Sequence, residues 1–176
     1  MVNIRRLILN EKSKIQIISI VLSMAIFIVA SFIGYYIDLG FENEKFTAGT
    51  IDIFLNNLTV CLIFIIGILS FGMISLFLLF INGVYLGAAL NYYIKHNSLE
   101  EMLRIFIPHA IFEIPAIILS ASMGFLLILF VIEKGYGRQN LSIKFYLMYI
   151  LKCTIIVIIL LGIAAFIEVH VSMRMS

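Results

Sequence analysis

The sequence predicts an all-α, polytopic transmembrane helical bundle of five spans, forming a single transmembrane domain over residues 1–176. Two observations predict it. Hydrophobic residues make up 63% of the chain and charged residues only 12%, against about half and about a quarter in a soluble domain. Too few polar groups remain to cover a water-facing surface, so the lipid bilayer is the main solvent. In lipid, backbone groups are satisfied only inside helices or a closed barrel. The apolar runs are also long and continuous rather than alternating, which selects helices over barrel strands. The rival reading, the buried core of a larger soluble protein, needs polar partners on nearly every face.

The elements follow in order. Residues 1–14 carry Arg5, Arg6, Lys12 and Lys14, with Ile4, Leu7 and Ile8 on one helical face among them. This pattern predicts a short interfacial helix leading into the membrane, on its cytoplasmic side. The run from Ile15 to Ile37 exceeds the apolar core of a cleaved signal peptide and suits a retained first span, 15–37. Residues 38–52 are polar, with Asp38, Glu42, Glu44, Lys45 and Asp52. An uncharged stretch then runs from Ile53 to Ile94. At about 1.5 Å rise per residue it is about twice the thickness of the hydrocarbon core, so it must fold back on itself. The turn is placed at Ser70-Phe71-Gly72, where glycine permits the backbone angles. That gives spans at 53–70 and 73–94. Span four is 105–132. It holds Pro108 in its first turn, where a missing N–H costs nothing. It also holds Pro115, which deprives the Ile111 carbonyl of its partner and is expected to kink the helix. After a polar loop at 133–144, span five is 145–169.

Seven basic residues (Arg5, Arg6, Lys12, Lys14, Lys134, Arg138 and Lys144) share the amino-terminal side of this arrangement, and four (Lys45, Lys95, Arg104 and Arg174) lie opposite. The imbalance places the amino terminus in the cytoplasm and the carboxyl terminus outside, in the cell membrane. No loop is long enough to bury a core of its own. A formal net charge of +2 gives no electrostatic footprint for nucleic acid. Cys61 and Cys153 sit inside apolar runs and read as packing residues. Abundant Ile, with Lys and Asn, fits an AT-rich bacterial coding sequence.

Polar groups inside spans are costly and mark function or structural bonding. Asn56 and Asn57 lie one turn into span two, and Asn82 lies near the middle of span three. His109 and Glu113 are four residues apart on span four, hence on one face. Glu168 lies near the end of span five. With the orientation above, Asn56, Asn57, His109, Glu113 and Glu168 share the outer half of the bilayer and can converge. The functional reading is an outward-opening polar site, either a proton or ion relay or a pocket for a polar substrate. The structural reading is a network in which asparagines bond across helices and Glu113 pairs with His109.

His109, Glu113, Glu168 and His170 are candidate metal ligands, but the His-Glu-x-x-His pattern is absent and no metal is assigned. Glu100-Glu101-x-x-Arg104 is one residue short of the paired glutamates of intramembrane prenyl-protein proteases and reads as a solvated loop. No nucleophile–base arrangement appears, and neither a catalytic residue nor a cofactor is assigned. Gly83 and Gly87 form a G-x-x-x-G pair, Ser120 and Gly124 repeat that spacing, and Gly162 opposes Ala164 and Ala165. These mark close helix contacts. They serve packing within one chain as readily as between chains, so an oligomer stays open.

Several of these residues also occur in one order along the chain: Asn56-Asn57, Gly67 and Gly72, Asn82-Gly83-x-x-x-Gly87, Pro108-His109-x-x-x-Glu113, Gly124 and Ala164-Ala165-x-x-Glu168. In this the chain resembles the stage II sporulation protein M family of bacterial and archaeal membrane proteins, across roughly residues 50–170. Ala110 stands where the family pattern has a glycine, and the 38–52 loop is shorter than in the sporulation member. The resemblance implies five helical spans and no catalytic activity. It also implies a scaffold that holds membrane-protein partners, in the sporulation case cell-wall hydrolases. Some members occur beside peptide-export genes, which implies the alternative of a transmembrane component of a peptide exporter or an immunity or transport system. The chain has no G-x-x-x-x-G-K-[ST] motif, so active export needs a separate ATPase or an ion gradient. A metal-dependent intramembrane hydrolase is the third and weakest reading.

Overall fold

A computed structural model describes residues 2–40, 49–96, 103, 106–135 and 143–172. The described residues are helical, in six α-helices. These are α1 (Val2–Tyr35), α2 (Thr50–Ile66), α3 (Met73–His96), α4 (Ile107–Gly124), α5 (Leu126–Gly135) and α6 (Ile143–Ile167). A 3-10 turn, Gly67–Ser70, follows α2, and a π-helical turn, Glu168–Ser172, follows α6. Five segments are long and apolar enough to cross a membrane: Lys14–Tyr35, Thr50–Ser70, Met73–Lys95, Ile107–Gly124 and Ile143–His170. They agree with the five expected spans within a few residues, except at the end of the fourth. The amino-terminal segment is continuous with the first span, since α1 runs unbroken from Val2 to Tyr35. The Glu100-Glu101-x-x-Arg104 cluster lies outside the described residues.

The helices sort by what they bury. Helix α4 is the most enclosed of the five spans and packs on α1, α2, α3 and α6. Around it the outward surfaces carry large apolar side chains such as Phe32, Ile51, Leu69 and Phe77. That surface is insoluble in water and well matched to hydrocarbon. The core joins Phe64 of α2, Leu79 of α3, Ala116 and Met123 of α4, Leu126 of α5 and Val157 and Leu161 of α6.

Helices α1 and α3 make the closest pair. The inner stripe of α1 is Ser19, Ser23, Phe27, Ala30 and Gly34, buried at three- or four-residue intervals. Ser19, Ser23 and Ser31 turn their hydroxyls back to carbonyls of their own helix, Gln16, Ser19 and Phe27, at 2.8–2.9 Å. Gly83 lies against Ala30 and the Phe27 carbonyl, Gly87 against the Ser31 carbonyl, and Gly34 against the Val84 carbonyl. Lipid supplies no hydrophobic drive between helices, so backbone contact and dispersion hold this pair. The G-x-x-x-G stripe is thus used inside the chain. Gly162 is different: a methyl group added there would touch nothing. The expected close contact at Gly162 is not formed, because the glycine faces open space beside the Ala164–Ala165 seam.

The α2–α3 hairpin turns where glycine was expected to allow it. Phe71 has φ 53° and Gly72 φ 85°. Ser70 Oγ donates to the Gly67 carbonyl at 2.8 Å and accepts from the Ile74 N–H at 3.0 Å, which closes the turn. Ser75 Oγ donates to the Phe64 carbonyl at 2.7 Å across the hairpin. Gly124 seats against that same Ser75 hydroxyl and Phe64 carbonyl, and Phe125 covers Gly72. Here the fourth apolar run breaks into α4 and α5. The expected single span 105–132 is therefore two helices, and its interruption falls at Gly124–Phe125. Pro115 lies within the helical run of α4, on its exposed side.

Candidate intramembrane polar site

Antiparallel packing of α4 on α6 sets the site. Helix α4 leads away from the end of the bundle opposite the hairpin, and α6 returns to that end. His109 and Glu113, in the first two turns of α4, therefore lie level with Glu168 at the end of α6. The π turn that begins at Glu168 packs on α4. It adds a residue to the helical repeat and re-aims the side chain, a distortion common at functional positions.

Glu113 and Glu168 are both partly buried, and Glu113 lies within electrostatic range of Glu168. Tyr93 of α3 lies within the field of Glu168. An aromatic train lines one flank: Tyr93 to Phe106 at 6.2 Å and Phe106 edge-on to His109 at 5.5 Å. Below this rim, Cys61 of α2 lies within the field of Glu113 and beside Ser120 of α4. Ser120 is seven residues from Glu113, hence on the same face two turns deeper. The arrangement can hold a proton, a small cation or a polar group between two carboxyls of separate helices.

The other expected members are placed differently. Asn56 is exposed, and its amide donates at 3.4 Å to the Oδ1 of Asn57, its neighbour on α2. Asn82 donates to the Leu78 carbonyl of its own helix at 2.8 Å. His170 stacks on Phe166 with ring centroids 4.2 Å apart, and its Nδ1 lies 3.0 Å from the Phe166 carbonyl. Among the described residues no three His, Cys, Asp or Glu side chains come together as a metal-holding group. The structure therefore brings Glu113 and Glu168 together, with His109 on the flanking aromatic train.

Sequence reasoning missed Tyr93, Cys61 and Lys152. Tyr93 carries no polar signature that separates it from an interfacial aromatic. Cys61, inside an apolar run, reads from the sequence as packing, although one turn separates it from Asn57. Lys152 lies inside the fifth span and is exposed on α6, a charge visible in the sequence. From Ile143 to His170 the span is about 42 Å long at 1.5 Å per residue, about 12 Å more than the hydrocarbon core. That excess length lets the Lys152 stem extend toward the headgroups at the Lys144 end of the helix.

Two curated relatives come from the archaeon Methanocaldococcus jannaschii. Uncharacterized protein MJ0706 is 30% identical over 181 residues, covering 93% of this chain and 80% of the relative. Uncharacterized protein MJ0793 is 31% identical over 133 residues, covering 71% of each. Both are archaeal, so they lend no support to the bacterial origin expected from composition. No solved structure matches. The stage II sporulation protein M family matches residues 18–173, which takes in the five apolar spans almost completely, and the chain belongs to that family as a multi-pass membrane protein.

Proposed function

We propose that this chain is a non-enzymatic subunit of a membrane complex that holds partner proteins in the bilayer. The observation that carries the reading is a groove of about 340 Å³ between α3 and α4, lined by apolar side chains including Leu86, Leu90, Phe106, Ile107, Ile111 and Pro115. Ile111 on its wall is 60% exposed. The central helix thus has a flank that the described residues leave uncovered, where a partner's transmembrane helix can pack. The partner is a membrane protein, in line with the family a cell-wall hydrolase complex or a separate ATPase. The amino terminus is cytoplasmic in the cell membrane, in keeping with the basic residues at the hairpin end. Tagged chain extracted in mild detergent should migrate with a stoichiometric second protein, and Ile111→Trp should release it. A solitary 20.0 kDa chain in native membranes overturns the reading. Single cysteines placed near Lys14 and near Lys95 test the sidedness with an impermeant thiol reagent: only the latter should be labelled from outside.

A second reading rests on a different observation, the approach of Glu113 and Glu168 from two helices inside the bundle. It makes the chain a transmembrane component of a peptide-export or immunity system, with the carboxyl pair as its working site. Glu113→Gln should then abolish flux or protection at unchanged expression. Full activity in that variant removes the reading.

A further inference from the structure

Two polar groups face lipid on opposite flanks of the bundle. The first is a carbonyl. Pro115 has no N–H, so the Ile111 carbonyl, four residues back, loses its helical donor. Ile111 and Pro115 are both exposed, and both line the groove between α3 and α4. The second is an amide. Asn56 is exposed on the outer face of α2, with Thr59 and Ile63 at helical spacing. It lies about 9 Å inside the Thr50 end of its span, at 1.5 Å per residue. Among the described residues its amide makes one bond, at 3.4 Å, to its neighbour Asn57. Polar groups set against hydrocarbon in this way are costly. An acyl chain has no donor or acceptor and relieves neither of them.

The two groups are complementary, since the carbonyl lacks a donor and the amide has an N–H to give. They also match in height. Helices α2 and α4 both run toward the hairpin and meet where Gly124 seats on the Phe64 carbonyl. Eight residues back along each, Asn56 and Ala116 are level, about 12 Å from that contact. The Ile111 carbonyl points along its helix toward Pro115, within one turn of that height. Within one chain they are kept apart. Gly124, where α2 seats, lies about 140° around α4 from Ile111 at 100° per residue. Helix α2 is therefore behind α4, and the groove is in front. A second copy related by rotation about the membrane normal keeps every height, so the amide of one copy arrives at the carbonyl of the next.

We propose that the groove takes α2 of a second copy of this chain, with the Asn56 amide donating to the Ile111 carbonyl. This rests on the reading of the groove as a helix-docking site and names its occupant. The contact is front to back, so it repeats into a ring or a row and does not close as a twofold pair.

The test is cross-linking between two full-length, differently tagged copies expressed together, one carrying Leu55→Cys and the other Ile111→Cys, oxidised with copper phenanthroline in native membranes. Both positions are exposed, and the natural cysteines are buried. The mixed pair should cross-link, and neither like-with-like pair should. Asn56→Leu on the first copy should cut the mixed yield about threefold, the scale of one interhelical hydrogen bond in a membrane. Pro115→Ala on the second copy returns an N–H to the Ile111 carbonyl and should do the same. The two changes together should be no worse than either alone. Slow alkylation of Cys61 and Cys153 checks that the Asn56→Leu and Pro115→Ala chains are folded. Like-with-like cross-links, an undiminished yield in folded Asn56→Leu, or losses that multiply in the double variant overturn the proposal. If no copy cross-links while Ile111→Trp still releases a different protein, the groove reading stands and the second copy falls. If no copy cross-links and Ile111→Trp releases nothing, both fall.

Discussion

Gly124→Ala and Gly162→Ala make the same chemical change on two apolar helices, and the structure assigns them opposite signs. A methyl group at Gly124 would run into the Ser75 hydroxyl and the Phe64 carbonyl. One of those atoms is backbone, and the other can move only by giving up its 2.7 Å hydrogen bond. Overpacking of this kind costs about 1–3 kcal/mol. Losing the Ser75–Phe64 hydrogen bond adds about 0.6 kcal/mol, and alanine's better helix propensity returns at most about 1 kcal/mol. The net is about 2 kcal/mol of destabilisation. At Gly162 nothing stands within 4 Å of an added methyl, so only the propensity gain of at most about 1 kcal/mol remains. The two variants should differ by about 3 kcal/mol, or about two orders of magnitude in the unfolding equilibrium. The chain has no tryptophan, but its two free cysteines are 1% and 5% exposed. Pulsed thiol alkylation along a sodium dodecyl sulfate titration therefore reports the unfolded fraction. Equal midpoints for the two variants would refute the account of α4 breaking on the hairpin.

Other outcomes follow from the same geometry. Gly87→Leu should force α1 from α3, because its side chain would enter the Ser31 carbonyl; the cost is about 3 kcal/mol or more, read in the same titration. Phe71→Gly should raise the midpoint by about 1 kcal/mol, since Phe71 holds a left-handed backbone angle, φ 53°, at an exposed position. Gly72→Ala should lower it, because φ is 85° and Phe125 covers the site. Lys152→Leu should leave the midpoint within about 0.5 kcal/mol, as expected of an exposed side chain; a large loss would show that the lysine is paired rather than snorkelling.

The spans were legible because lipid imposes a one-residue rule: each side chain is tolerated or not in hydrocarbon, over about 20 positions at a time. That rule located Met73–Lys95 and Thr50–Ser70 within a few residues and put the turn at Phe71–Gly72. It also picked out Glu113 and Glu168, since a carboxyl in an apolar run stands out alone. It did not reveal that the fourth run is interrupted at Gly124–Phe125. A proline's missing N–H is local knowledge, whereas the break at Gly124 depends on Ser75 and Phe64, about 50–60 positions earlier.

Composition and run length determined by themselves that the described residues are mainly helical, with five segments long and apolar enough to cross a bilayer and a few ionisable groups within them. Tertiary structure alone decided which glycines touch a neighbour, and why Asn82 bonds its own helix while Glu113 comes within range of Glu168. The reason is physical. Solvation by lipid acts on each residue separately, while contact between helices depends on rotations and offsets that no single segment specifies.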